Sequence, residues 1–107
     1  MRTLEFKIEQ QLLTKDPTCD FSNIVAGSKN YLRAHFAFSD DWAGCLKAAS
    51  FWRGEEEYAV LLDGSGNCMI PPEVLVGATF AVTVLGKNGK LEIPTNRVIV
   101  RQEVLRK

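Results

Sequence analysis

Residues 31–53 constrain the chain most. Leu32, Ala34, Phe36 and Phe38 alternate with Tyr31, Arg33, His35 and Ala37, and later Ala49 and Phe51 alternate with Ser50 and Trp52. A period of two sends successive side chains to opposite faces of an extended strand, so each run has one apolar face to bury. Between the runs lies Ser39-Asp40-Asp41-Trp42-Ala43-Gly44, a polar corner carrying a tryptophan. Ser39 or Asp40 could cap a helical turn there. The corner is expected to be architectural, with Trp42 plugging the core and Gly44 completing the bend.

The same alternation recurs along the chain. Leu4, Phe6 and Ile8 alternate with Glu5, Lys7 and Glu9, and residues 10–13 are candidates to extend that strand until Asp16-Pro17 breaks it. From 19 to 30 the pattern is weak; Phe21, Ile24 and Val25 are the candidates for a short edge strand, and residues 10–30 for the loosest packing. Gly54-Glu55-Glu56-Glu57 reads as a charged hairpin turn. In residues 57–63 both faces are fairly apolar, the pattern of a central strand. Asp63-Gly64-Ser65-Gly66-Asn67 is a turn, residues 68–70 a short strand, and residues 73–77 a single helical turn after Pro71-Pro72. Phe80, Val82 and Val84 point inward on a strand over 79–85. Asn88-Gly89 signals a hairpin to residues 91–93, Pro94-Thr95-Asn96 breaks the pattern, and 98–105 forms the last strand.

About seven strands at short intervals, with at most one or two helical turns, predict an all-β sandwich or small barrel in a single domain over 1–107. No long amphipathic helices separate the strands, which sets α/β architectures aside.

Function classes narrow on composition and motif. Lys and Arg number 13, Asp and Glu 13, for zero formal net charge and a pI of about 6.6. That balance supplies no general attraction for nucleic acid or an anionic membrane. The most basic region, Arg97 to Lys107, interleaves its charges with apolar residues and reads as the solvated face of a strand. Cys19, Cys45 and Cys68 are odd in number and widely spaced. Neither a zinc site nor a disulfide framework is indicated, and the thiols are expected to be reduced and partly buried. The N-terminus alternates and lacks an apolar signal region, and no stretch approaches the roughly 20 apolar residues of a membrane span. The expected site of folding is a cytoplasm. His35, the single histidine, has no local nucleophile or carboxylate beside it in sequence. The Asp63 loop lacks the dense acidic ligands of a calcium loop, and its glycines lack the Gly-Lys-Ser/Thr of a phosphate cradle. No catalytic, metal or cofactor residue is expected.

The aromatic residues offer more. Trp52 and Tyr58 flank a hairpin and could pair across it. Exposed, they would anchor a protein interface or stack on a sugar, with Arg33, His35 or Arg53 as polar flanks. The plainer alternative for Trp52 is that it covers a sheet edge.

Taken in order, Phe38-x-x-x-Trp42-x-Gly44-x-x-Lys47-x-Ala49-x-Phe51, Val60-x-Leu62-Asp63, Cys68-x-Ile70-Pro71-x-Glu73-Val74-Leu75, Phe80-x-Val82-x-Val84-x-Gly86 and Pro94-Thr95 resemble a recurrent family of small proteins in bacterial tailed phages and prophages. The resemblance covers roughly residues 31–104. It implies an immunoglobulin-like β-sandwich among tail, baseplate or host-interaction structural proteins, with other phage proteins or further copies of itself as partners. It implies no catalytic residue, and location in the virion after synthesis. A carbohydrate-binding module for a cell-surface glycan is the alternative expectation.

Overall fold

The computed structural model describes residues 1–104. The last strand, expected over 98–105, ends at Arg101; Leu105, Arg106 and Lys107 lie outside the described residues.

The described residues form an all-β sandwich of nine strands, more than the seven or so expected, with two short 3-10 turns at Asp40–Trp42 and Pro72–Val74. The strands are β1 (Arg2–Glu9), β2 (Leu12–Lys15), β3 (Leu32–Phe38), β4 (Leu46–Arg53), β5 (Glu56–Leu61), β6 (Asn67–Met69), β7 (Thr79–Asn88), β8 (Leu91–Pro94) and β9 (Val98–Arg101). The first sheet runs β2-β1-β3-β6; the second runs β5-β4-β7-β8, with β9 also paired to β7. β1 and β3 are parallel, and the other strand pairs antiparallel.

Alternation decides which side chains fill the space between the sheets. Leu4, Phe6 and Ile8 from β1 and Leu32, Ala34 and Phe36 from β3 meet Ala49, Phe51, Phe80, Val82, Val84 and Val100 from the second sheet in one buried cluster. Phe6 and Phe36 stack with centroids 5.1 Å apart. Burying a large apolar side chain is worth about 1.5–3 kcal/mol, so this cluster is the main source of stability.

Four local expectations are corrected. Residues 10–13 do not extend β1: Gln10 takes a positive φ of 56° and turns the chain back into β2. Phe21, Ile24 and Val25 form no strand, only an isolated bridge from Val25 to Glu103. Their neighbours' carbonyls are taken instead by the Arg2 guanidinium, which donates to Asp20, Ser22 and Asn23 at 2.9, 2.7 and 3.2 Å. Ser39 holds the N-cap position of the corner turn, but its side chain makes no capping bond. Ser39 Oγ accepts the Gln10 N–H at 2.9 Å, so the hydroxyl joins the corner to the β1–β2 turn. Finally, β5 is an edge strand, not a central one.

The break at Pro94-Thr95-Asn96 is filled by side chains standing in for backbone. Thr95 Oγ1 accepts the Val84 N–H at 2.9 Å, keeping β7 satisfied between β8 and β9. The Asn96 amide accepts from Leu13 N–H at 2.6 Å and donates to Leu13 C=O at 3.1 Å. That pair of bonds ties the edge of the first sheet to the second, since a side-chain amide offers the donor and acceptor of a ladder rung.

Candidate functional site

The corner is architecture, as expected. Trp42 is fully buried, its indole N–H donates to the Gln10 carbonyl at 2.7 Å, and its ring lies 5.1 Å from Phe38. Gly44 adopts a φ of +78°, which an L side chain rarely tolerates. The ring also needs Gly86 of β7: a Cβ there would sit 2.7 Å from Trp42 Cε3 and Cζ3. Nothing local in the sequence marks Gly86 for this role, because the contact is non-local.

The predicted surface residues do not gather. Arg33 and His35 lie on the outer face of the first sheet, opposite Thr3 and Glu5 in register. Arg33 Nε donates to Thr3 Oγ1 at 3.2 Å, and His35 Nδ1 lies 2.6 Å from Glu5 Oε1. Both contacts are partly solvated, where such pairs contribute about 0–1 kcal/mol. Trp52 and Tyr58 belong to the second sheet but face opposite ways. The register pairs Phe51 with Tyr58 and Trp52 with Glu57, so Tyr58 leans on the core beside Phe51 while Trp52 faces outward. The Tyr58 hydroxyl donates to Glu56 at 3.0 Å, and that carboxylate holds the phenol pKa above its usual 10.0. Arg53 ends β4 opposite Glu56, exposed. The pair of aromatics on one face, with Arg33 and His35 beside them, that sugar stacking would need is therefore not formed.

A different surface is formed. The outer face of the second sheet carries Leu46, Ala48, Ser50 and Trp52 from β4, Glu57, Ala59 and Leu61 from β5, Ala81, Thr83 and Leu85 from β7, with Pro94 and Ile99 beyond. Three large apolar side chains there are open to solvent: Leu46 at 66%, Leu61 at 65% and Ile99 at 47%. Toward the Arg53 end of β4, Trp52 donates its indole N–H to Thr83 Oγ1 at 3.0 Å, and the Arg97 guanidinium lies 4.8 Å from its ring centroid. A shallow depression beside them is lined by Gly54, Thr79, Ala81, Arg97 and Ile99. A signal for this surface was present: the second apolar face of residues 57–63 suggested a central strand. On an edge strand with one face on the core, that same face is left in water.

The turns that shape the ends of the sandwich hold three carboxylates below the ordinary value of 3.8. For Asp63 the cause is the Asn67 and Ser65 backbone N–H groups; for Asp16 it is the Thr18 N–H and hydroxyl, and for Asp20 the Ser22 hydroxyl and N–H. Each bond favours the ionised form of the folded state. The folded chain therefore binds fewer protons than the unfolded one, and stability is complete above about pH 4 and falls as pH drops through the lower folded values. Urea unfolding between about pH 5 and 2 is expected to show this decline, and an Asp63→Asn variant a shallower one; identical slopes would remove Asp63 from the account.

Burial pushes the Cys68 thiol up to about 12, with the Asp63 charge a lesser cause. A thiol so held is a poor nucleophile. Titration with an aromatic disulfide reagent is expected to modify the half-exposed Cys19 in the native protein and to reach Cys68 only on unfolding. Fast native modification of Cys68 would contradict its placement.

Among the described residues, no group of three His, Cys, Asp or Glu side chains is placed to hold a metal ion, and no helix is long and apolar enough to cross a membrane. Comparison with protein-family models, with curated proteins and with solved structures finds no match, so the likeness to phage proteins rests on the order of motifs in the sequence.

Proposed function

We propose that the chain is a non-enzymatic structural or accessory protein of a phage or prophage tail or baseplate, made in the host bacterium's cytoplasm and carried in the virion, and that it acts by protein–protein contact. The motif order supports the phage setting. The observation that carries the mode of action is the uncovered outer face of the second sheet. Scattered apolar residues are ordinary on a surface, but a contiguous set rimmed by charge marks an interaction site. Here Leu46 and Leu61 lie toward one end of the face and Trp52, Arg97 and Ile99 toward the other, with Ala59 and Thr83 between, and Trp and Arg are the residue types that most often anchor interfaces.

The test is the composition of tailed particles induced from the bacterium that carries the gene. Mass spectrometry is expected to find the chain at fixed stoichiometry, and Leu61→Glu is expected to remove it from the particles while leaving its fold intact. Particles lacking the wild-type chain, or holding the variant as well as the wild type, would refute the reading.

A further inference from the structure

Building on the protein-contact reading, we infer that the occupant of this outer face is a second copy of the chain, packed about a two-fold axis running along the strands between β4 and β7. A two-fold interface sets one patch against itself, so the patch must be self-complementary. The register supplies complementarity of size. One row reads Leu61, Ala48, Leu85 and Pro94 across β5, β4, β7 and β8, and another reads Glu57, Trp52, Ala81 and Ile99 across β5, β4, β7 and β9. Rotation about the proposed axis exchanges β4 with β7 and keeps each row at its own level. Ala48 of one copy then meets Leu85 of the other, small against large, while Ala81 is already covered in its own chain and leaves Trp52 and Arg97 as the contact surface of the second row.

Charge selects this axis over the alternative. An axis across the strands would also set large against small, but it would place Arg97 against its own copy and Glu57 against Leu61. The axis along the strands lays the β5 edge of one copy over the β8–β9 edge of the other. Glu57 leans toward the sheet centre, its carboxylate accepting from Ser50 Oγ. Arg97 immediately precedes the Val98–Val82 pair, at the level of Ser50 and Thr83, and reaches back over Trp52. Glu57 of each copy thus comes to the stacked Arg97 of the other, and a guanidinium pairs well with a carboxylate at an interface.

The size of the face sets the strength. Four strands about 4.8 Å apart and about eight residues long make a face on the order of 500 Å² per copy. That is the small end of specific interfaces, so weak association, somewhere between about 1 μM and 1 mM, is expected.

Sedimentation equilibrium of the full chain from about 1 μM to 1 mM spans that range. A monomer–dimer equilibrium is expected, weakened at least about tenfold by Leu61→Glu and by Glu57→Arg or Arg97→Glu alone, and restored toward wild type in the Glu57→Arg/Arg97→Glu double variant. Far-ultraviolet dichroism and melting of each variant confirm the fold. A chain monomeric at the highest concentration overturns the inference, as does a dimer indifferent to Leu61→Glu or a charge swap that does not rescue. A monomeric chain that Leu61→Glu still removes from particles would sink self-pairing alone, whereas a dimeric chain absent from particles would sink the phage reading alone.

Discussion

Trp42→Ala is expected to cost about 3–5 kcal/mol of folding stability, the range for deleting a buried large aromatic. Two losses contribute and they are unequal. The Gln10 carbonyl loses its indole donor, but Gln10 is exposed, so water can replace the bond and the net loss is about 1 kcal/mol. The larger part is the void left between Phe38 and Gly86, where the ring now packs. Trp42→Phe should therefore retain most of the stability, losing about 1–2 kcal/mol. Gly86 gives an independent check. Gly86→Ala alone forces a methyl into the ring and is expected to cost about 1–3 kcal/mol, whereas in the Trp42→Ala background it enters the void and costs less. Denaturant unfolding of the four proteins measures this. A Trp42→Ala cost below about 1 kcal/mol would mean that the ring is not buried, and additive effects would mean that ring and glycine do not touch.

Gly66→Ala is the second substitution with a large expected effect. Gly66 sits at a φ of +80°, and a Cβ there would lie 2.5 Å from the Phe36 carbonyl oxygen. The left-handed conformation alone costs an L residue about 1–2 kcal/mol. The clash is with backbone, which has no rotamer to yield, and the same two residues are joined by the Phe36 N–H to Gly66 C=O bond at 2.9 Å. Relief means opening that rung where β3 meets the Asp63 turn, so a total of about 3–5 kcal/mol is expected. Gly64, in the same turn, has an ordinary φ and nothing within 4 Å of its would-be Cβ. Gly64→Ala should change stability by less than about 0.5 kcal/mol. Equal effects at the two glycines would show that the turn is not held as described.

Several parts of this molecule were legible because their cause is local. The inward faces of β3, β4 and β7 follow from alternation alone, and each apolar side chain the pattern aims inward on β4 and β7 is buried. Only Phe38, at the rim of β3, stays partly open. The Asn88-Gly89 hairpin is present, though β7 runs on through Gly86 to Asn88 and the turn itself is Gly89-Lys90. Trp42 is in the core, where a tryptophan in a corner between two half-buried strands would be expected.

The paired-aromatic site failed for a reason the sequence contained. Taking Gly54 to Glu57 as the turn leaves the register of the β4–β5 hairpin open. The actual loop is Gly54-Glu55, which sets Arg53 against Glu56, Trp52 against Glu57 and Phe51 against Tyr58. A slip of one residue carries every side chain to the other face, so turn length alone decides whether Trp52 and Tyr58 share a surface. The Leu46, Leu61 and Ile99 surface was missed for a different reason. No local rule distinguishes an edge strand with two apolar faces from a central one.

That difference marks the boundary between the two kinds of information. Alternation, turn residues and an apolar corner belong to neighbouring residues, and by themselves they determined that this chain is built of strands, which side of each is buried, and that Trp42 lies inside. The parallel pairing of β1 with β3, the place of β5 at an edge, the seat of Trp42 on Gly86 and the uncovered face around Trp52 were decided only by the tertiary structure. They depend on which distant strands become neighbours, and strand order is chosen by the packing of the whole chain.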